Sequence, residues 1–226
     1  METLSGDKSM SLYNKLNKAT FQQDTSLAFH HFIDLAKLYN SHNNNEIVYY
    51  NLLFSVALSA EPVTIVELGT GPGVSSLAFI RVIQYYNSIR TEKGFLHSCD
   101  LNPKMQEPLK KYDDIVKLHQ MSTDELAILW GHKKEPIDLL FIDADHSNEQ
   151  SLIDFDNFSP YIKPNGLVLM HDTFPLSENH EQLQYSGTVY KTAQFIKHNY
   201  QNEFEIMTIP YLCGISLIRK SGAKYF

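Results

Sequence analysis

Val66-Glu67-Leu68-Gly69-Thr70-Gly71-Pro72-Gly73-Val74 is the stretch that decides the fold of this 226-residue chain. A β-branched run, residues 64–66, leads into it, and a helix-like sequence that opens with Ser75 follows it. This order predicts a strand, a tight glycine turn and a helix. Closely spaced glycines let backbone N–H groups approach a ligand, with the positive end of the helix behind them.

The residues of this turn distinguish between possible ligands. The spacing is G-x-G-x-G, whereas dinucleotide-binding folds carry G-x-G-x-x-G. Glu67, two positions before the first glycine, would repel a pyrophosphate and attract an ammonium group. S-adenosylmethionine (SAM) carries an amine, a carboxylate and a sulfonium, but no phosphate. The stretch resembles motif I of the class I SAM-dependent methyltransferases. The resemblance implies that SAM contacts Glu67, Gly69, Thr70, Gly71, Gly73 and Ser75.

The overall composition is that of one globular domain with a sizeable core, because 43% of the residues are hydrophobic. The formal net charge of -7 argues against nucleic acid as the main partner. We expect no membrane partner and a cytoplasmic location, since no apolar stretch reaches the ~18 residues of a spanning helix and residues 1–8 lack a signal-peptide core. Cys99 and Cys213 fall in predicted buried strands, so we interpret both as small core residues rather than a disulfide.

Strands and helices alternate along the chain after residue 60. We predict strands at 64–69, 94–100, 115–120, 137–143, 166–171, 204–210 and 213–220. We predict helices at about 74–88, 103–112, 123–130, 148–160 and 187–199. Such alternation is typical of a doubly wound parallel sheet, and the two-residue link Tyr211-Leu212 requires an antiparallel last pair. The predicted fold is therefore α/β, a seven-stranded Rossmann-like methyltransferase sheet with an antiparallel last strand.

Residues 1–60 are predicted to form a helical cap in front of a SAM-binding domain at 61–226. Apolar residues recur at helical spacing from Leu27 to Leu38 and from Ile47 to Leu58, on either side of the polar run 41–45. These helices would pack over the carboxyl end of the first strand or form a homo-oligomer contact. The segment Thr173–Ser186 has no clear period and follows strand five directly, so it is a candidate lid over a small-molecule substrate.

Ligands of open α/β sheets bind at the carboxyl ends of the strands. Strand two ends in Asp100-Leu101-Asn102, where Asp100 could grip the ribose hydroxyls of SAM with Leu101 beside it. Asn102 is the better helix cap because Pro103 suits the first helical position, which leaves Asp100 free. Strand three leads into Ser122-Thr123-Asp124, one of which would contact adenine. Ser122 also begins a capping-box pattern, and the choice among the three stays open.

Strands four and five deliver a second group of polar side chains. Strand four runs into Asp143-Ala144-Asp145-His146, and strand five runs into His171-Asp172. Burying several like charges together is unfavourable unless a cation or a proton is shared. The group therefore predicts a metal or general-base site. In the alternative interpretation, Asp143 only orients SAM and substrate, while His171 and Asp172 make structural hydrogen bonds.

These segments, together with Lys163-Pro164-Asn165-Gly166, resemble the small-molecule O-methyltransferases of the catechol type. They are still closer to the bacterial sugar and macrolide O-methyltransferases, grouped as methyltransferase family 24. The resemblance covers about Val63 to Arg219 and leaves the N-terminal helices unmatched. It implies SAM as cofactor, with Leu101, Ser122, Thr123 and Asp143 among its contacts.

The same resemblance implies a divalent metal, Mg or Mn, held by Asp143, His171 and Asp172. The general base of the sugar branch maps to Asp145, and the lysine base of the catechol branch maps to His146. The strand-five pair is His-Asp here, where the catechol type has Asp-Asn. An imidazole ligand would favour Mn, Fe or Zn over Mg.

The predicted function is SAM-dependent methylation of a small-molecule hydroxyl. Transfer would be an in-line displacement, in which the enzyme holds oxygen, methyl and sulfur collinear. Two alternatives remain. The first is a catalytically idle SAM- or nucleotide-binding module, which would not need the Asp/His group. The second is a hydroxylase-like enzyme on the same scaffold, with Fe(II) bound by His171 and carboxylates.

Overall fold

The computed structural model describes residues 44–174, 187–211 and 213–222, and in these ranges seven strands form one sheet. The strands are β1 (Thr64–Leu68), β2 (Phe95–Cys99), β3 (Val116–His119), β4 (Ile137–Ile142), β5 (Ile162–His171), β6 (Phe204–Ile209) and β7 (Ile215–Lys220). The helices are α1 (Asn44–Ser59), α2 (Val74–Ile89), α3 (Pro103–Gln106), α4 (Thr123–Lys133), α5 (Asn148–Phe158) and α6 (Val189–Asn199). Two 3₁₀ turns follow α3 and α5, at Glu107–Tyr112 and Ser159–Tyr161.

The strand order is β3-β2-β1-β4-β5-β7-β6. Strands β1 to β5 are parallel, and β7 runs antiparallel to both of its neighbours. The predicted doubly wound sheet with an antiparallel last strand is thus confirmed. The strand order reverses between β1 and β4, so the crevice outside their carboxyl ends is where this architecture places ligands.

Helices cover both faces of the sheet, and β1 is buried along its whole length. Alternate residues of β1 face opposite sides. Ile65 packs into a cluster with Phe79 of α2 and Tyr50 of α1. Val66 packs into a second cluster, around Trp130 of α4 and Phe155 of α5. Helix α1 therefore belongs to the core of the sheet and brings its own side chains close to the ends of β1 and β4.

Several element boundaries differ from the predicted ones. Strand β5 begins at Ile162 rather than 166, because Ile162 pairs with Ile137 ahead of an irregularity in the β4–β5 ladder. The predicted helix 103–112 tightens into a 3₁₀ turn after Gln106, where Pro108 removes a backbone donor. The link between β6 and β7 spans 210–214 rather than two residues.

Cys213 consequently lies in the β6–β7 turn, half-buried, and not in a strand as predicted. Cys99 is a buried residue of β2, as predicted, and both thiols are free. The predicted helix before residue 44 and most of the predicted lid, residues 175–186, lie outside the described residues. Within the described ranges, every helix is too short or too polar to cross a membrane.

Candidate active site

The glycine turn lies between β1 and α2 and adopts left-handed backbone conformations, with φ values of 94° at Gly69, 49° at Gly71 and 85° at Gly73. A Cβ atom on Gly69 would lie 2.1 Å from the carbonyl oxygen of Asp143. At Gly71 and Gly73, a Cβ atom would meet nothing within 4 Å. Position 69 therefore requires glycine, because the end of β4 approaches its backbone too closely for a side chain. The other two glycines border open space that a ligand can fill.

Glu67 is fully buried beneath this turn. Its Oε2 accepts hydrogen bonds from Ser76, at 2.7 Å, and from Ser98, at 2.6 Å. Its Oε1 has no hydrogen-bond partner. Burial raises the pKa of Glu67 to about 7, against the lowering effect of hydrogen bonds from Ser98, Ser76 and Ser75. A buried carboxyl group with one unused oxygen suits a cationic group of a ligand.

Asp100 lies at the end of β2, next to the glycine turn. Its Oδ2 accepts from the backbone N–H groups of Thr70, at 3.1 Å, and Gly71, at 3.3 Å, while its Oδ1 accepts from Asn102. Asn102 caps α3 through Lys104, as predicted. The expectation that Asp100 has no structural partner is wrong, because its carboxylate holds the glycine turn. Sequence patterns do not reveal such contacts between a side chain and a distant backbone.

A pocket of about 250 Å³ opens at the carboxyl ends of the first four strands. Its walls are Gly69, Cys99, Asp100, Leu101, Met121, Ser122, Thr123, Asp124, Ala144, Asp145 and Gln150. The other predicted SAM contacts do not line it: Glu67, Thr70, Gly71, Gly73, Ser75 and Asp143. Thr70 is buried, and its hydroxyl pairs with that of Ser98. Ser122 is occupied by a capping box with Glu125, whereas Thr123 and Asp124 accept from Nε2 of Gln150, at 3.2 and 3.3 Å.

The strand-four and strand-five ends meet at one point beside this pocket. Nδ1 of His171 lies 3.2 Å from Oδ1 of Asp143 and 3.2 Å from Oδ1 of Asp172. Nδ1 of His146 forms an ion pair with Oδ2 of Asp172. Donor atoms of Asp143, His146 and Asp172 all lie within 4.8 Å of one another. We call these four residues the Asp/His cluster.

Asp145 does not join the Asp/His cluster. It is exposed, it accepts a hydrogen bond from the backbone N–H of Ser147 at 2.8 Å, and it lines the pocket. The two base candidates of the sequence therefore face different surroundings, with Asp145 in the pocket and His146 in the cluster.

His171 and Asp172 are consecutive, and consecutive side chains of a strand point to opposite faces. They meet at one point because β5 ends at His171 and Asp172 takes a left-handed conformation, with φ 59°. Asp tolerates this conformation better than most residues. The local turn thus lets the side chains of two consecutive residues at the strand end approach the same point.

The charges in the Asp/His cluster stabilise one another. Burial lowers the pKa of His171, but the carboxylates of Asp143 and Asp172 outweigh burial and raise it to about 10. Burial raises the pKa of Asp172, and the two imidazoles outweigh it and bring it to about 2. The contact with Asp172 raises the pKa of His146. Protons on the imidazoles can thus balance the carboxylates, as a bound cation also could.

Sequence reasoning missed two residues of this site. Tyr49 of α1 approaches Asp143 with its hydroxyl group and packs edge-on against His171. Burial and then the nearby carboxylates raise the pKa of Tyr49 well above its usual value, so the phenol stays protonated. Cys213 contacts Asp172, and burial raises the pKa of its thiol. Neither residue lies in a motif, so only the folded arrangement reveals them.

Comparisons with known proteins match this chain to methyltransferases. A family model described as a methyltransferase domain matches residues 66–173. The O-methyltransferase ankF of Aspergillus thermomutatus is 23% identical over 175 residues, which cover 69% of this chain and 70% of that protein.

Solved structures share the fold. The SAM complex of the O-methyltransferase TomG from Streptomyces achromogenes, involved in tomaymycin synthesis, is 16% identical with a TM-score of 0.59, covering 97% of this chain and 100% of that chain. The Bacillus cereus O-methyltransferase in complex with SAH (S-adenosylhomocysteine) is 15% identical with a TM-score of 0.59, covering 95% and 99%. The match to the methyltransferase family model includes the glycine turn, the end of β4 and the His171-Asp172 pair, and the sheet has the fold of SAM-dependent O-methyltransferases.

Proposed function

We propose that this methyltransferase transfers the methyl group of SAM to a hydroxyl oxygen of a small molecule, with assistance from a divalent metal. The observation that carries the proposal is the convergence of Asp143, His146, His171 and Asp172 beside the pocket. An idle SAM-binding module would have no use for such a group. The relatives are O-methyltransferases, which does not favour the hydroxylase alternative.

SAM would bind across the crevice between β1 and β4. The unpaired Oε1 of Glu67 would accept its ammonium group, and the open space at Gly71 and Gly73 would receive the methionine part. Asp100 would reach the ribose hydroxyls from the pocket wall while it holds the glycine turn. These assignments agree with the sequence interpretation of the turn.

Asp143, His171 and Asp172 would hold the metal. Nδ1 of His171 is buried and makes no aligned hydrogen bond, although it lies 3.2 Å from an oxygen of each carboxylate. Adjacent ligands around a cation with bonds of about 2.0–2.2 Å are spaced by about 3 Å, so the donor set suits a divalent ion. A bound divalent metal would lower the pKa of a hydroxyl that coordinates it.

His146 would take the proton of the acceptor hydroxyl. Its side chain is 48% exposed, whereas that of its partner Asp172 is buried, so His146 lies on the open side of the cluster. Asp172 would orient its imidazole, as carboxylates commonly do for a histidine base. Asp145 is the less suitable base, because it faces the pocket proposed for SAM.

Equilibrium binding of SAH and Mn²⁺ by calorimetry tests the proposal. We expect His171→Ala to weaken Mn²⁺ binding by at least about tenfold, the range for lost metal-site residues. We expect His146→Ala to keep Mn²⁺, and both variants to keep SAH. His198→Ala, on the exposed side of α6, is the control. Mn²⁺ binding that both cluster variants leave unchanged would refute the metal site, and failure of the wild type to bind SAH would refute the cofactor.

A further inference from the structure

The backbone that carries His146 is held by a residue of another element. The backbone N–H of Thr188, the residue before α6, donates to the carbonyl of His146 at 2.8 Å. The hydroxyl oxygen Oγ1 of the same threonine accepts from the backbone N–H of Asn148 at 2.8 Å. These two bonds lie on either side of Ser147, so one residue fixes the backbone of the turn between His146 and α5.

Thr188 occupies the N-cap position of α6, where a threonine hydroxyl ordinarily accepts from an N–H group of its own helix. Its side chain makes no such bond. It accepts instead from Asn148, the first residue of α5, whose N–H has no partner within its own helix. Ser147, the N-cap residue of α5, accepts from Gln150. The Thr188 hydroxyl therefore stabilises the turn next to His146 rather than the helix that it precedes.

The start of α6 approaches this turn closely. Gly187 has a φ of 57°, and a Cβ atom there would collide with the carbonyl group of His146. A side chain at position 187 would thus push the two segments apart and break the bond from Thr188. Further along α6, the hydroxyl group of the buried Thr192 donates to the carbonyl of Asn148 at 3.0 Å. Two threonines of the same element therefore contact the start of α5, and Thr188 is the one that also bonds His146.

The imidazole of His146 depends on this backbone for its orientation. Its side chain is 48% exposed, so packing constrains it weakly, and its Nδ1 forms an ion pair with Asp172. Asp172 is buried at the end of β5, so a shift of the His146 backbone changes the geometry of the pair. Misplacement of a reacting group by about 1 Å can cost on the order of a hundredfold in rate.

We propose that Thr188 is a positioning residue for His146. It fixes the backbone of residues 146–148 and thereby keeps the imidazole against Asp172. The inference rests on the proposed function, in which His146 takes the proton of the acceptor hydroxyl. Thr188 lies outside residues 66–173, the segment matched by the methyltransferase family model.

NMR spectroscopy of protein labelled with ¹⁵N-histidine, in a buffer that contains EDTA, tests this role. The wild type should give a downfield Nδ1–H signal for His146, because the proton is shared with a carboxylate, and His146→Gln assigns that signal. Thr188→Val keeps the shape of the side chain but removes the acceptor, so the signal should be lost. Thr188→Ser keeps the hydroxyl group and should retain the signal.

Asn148→Pro removes the same hydrogen bond from the other side and keeps the inference testable if Thr188→Val does not fold. Proline suits the first position of a helix. Ser147 already has the extended backbone that a residue before proline requires, with φ -92° and ψ 150°. The His146 signal should be lost in this variant too.

Thr192→Val is the matched control, since it removes a hydroxyl group that bonds Asn148 without contacting the His146 carbonyl. It should lower the melting temperature and keep the signal. The inference is overturned if the wild type lacks the signal, if a folded Thr188→Val or Asn148→Pro protein keeps it, or if Thr188→Ser or Thr192→Val loses it. Calorimetry on the wild type separates the two proposals, because a failure to bind SAH would remove the proposed function and leave the NMR result unaffected.

Discussion

The phenol oxygen of Tyr49 lies 3.5 Å from Oδ2 of Asp143, and its ring meets the imidazole of His171 at a centroid distance of 5.0 Å. Tyr49 belongs to α1, which precedes the segment matched by the methyltransferase family model. A helix outside the recognised domain therefore contacts two of the residues proposed to hold the metal. This contact makes Tyr49 a positioning residue in the proposed mechanism.

Tyr49→Phe should weaken Mn²⁺ binding by about tenfold, the usual effect of losing a group that orients a metal ligand. The variant keeps the ring contact with His171 and loses only the hydroxyl. SAH affinity and the melting temperature should stay near wild type, because neither depends on that hydroxyl. Tyr85→Phe, whose ring packs on Tyr86, is the control. An unchanged Mn²⁺ dissociation constant in Tyr49→Phe would show that the Tyr49 ring only packs against the cluster and that its hydroxyl group does not position the metal ligands.

Two glycine substitutions should have opposite outcomes. Gly69→Ala should lower the free energy of unfolding by roughly 2–4 kcal/mol, because its Cβ atom collides with the backbone of Asp143 at a positive φ. Gly71→Ile avoids that collision, since its Cβ atom meets nothing within 4 Å, although its positive φ of 49° costs about 1–3 kcal/mol of backbone strain. Its main effect should be the loss of SAH binding, because its side chain enters the open space above the turn. Thermal unfolding and calorimetry on both variants check this. A folded Gly71→Ile protein with wild-type SAH affinity would refute the proposal that the glycine turn binds SAM.

Glu67→Gln should stabilise the ligand-free protein at alkaline pH and weaken its binding of SAH. The pKa of Glu67 is raised from 4.5 to about 7 in the folded state. A raised folded pKa stabilises the fold below about pH 4.5, and this contribution disappears as pH rises through 7. The wild type should thus lose on the order of 2 kcal/mol between pH 5 and pH 8 from this group. Urea unfolding at both pH values, with Glu149→Gln as control, measures the difference.

His97 and His119 should make the protein sensitive to acid. Nδ1 of His97 lies 3.0 Å from Nε2 of His119, and burial lowers the pKa of His97 to about 3 and that of His119 to about 4. Their neutral forms stabilise the fold above the unfolded pKa of 6.5, and this stability is lost as pH falls towards 4. His97→Phe should flatten this loss in urea unfolding between pH 7 and pH 4. An equally steep loss in the variant would place the acid sensitivity elsewhere.

The sequence predicted those parts of the site that depend on local pattern or on parallel strand ends. The glycine turn was predictable because its glycines and Glu67 lie within seven residues. The meeting of Asp143 with His171 and Asp172 followed from adjacent parallel strands, whose carboxyl ends share one edge of the sheet. Both inferences required only the order of strands and helices.

The rest depends on contacts that no local pattern encodes. Tyr49 and Asp143 are 94 positions apart, and Tyr49 sits in an ordinary apolar helical pattern. No sequence pattern around Asp100 indicates that its carboxylate accepts hydrogen bonds from backbone N–H groups of the glycine turn. Strand β5 begins at Ile162, which pairs with Ile137, and the polar residues 163–165 separate it from the paired apolar run that starts at Leu167. Hydrophobicity alone therefore placed the start of the strand too late.

Different strands supply the pocket and the surface beside the Asp/His cluster. All the residues that line the pocket come from the ends of β1–β4 and from α4 and α5. On the other side, the backbone N–H of Phe174 donates to the carbonyl of Cys213 at 2.7 Å, and a Cβ atom on Gly214 would lie 2.3 Å from that of Phe174. Residues 173 and 174 and the β6–β7 turn thus form one joined surface beside the Asp/His cluster. Under the proposed function, this surface can vary with the methyl acceptor without a change in any residue that lines the pocket.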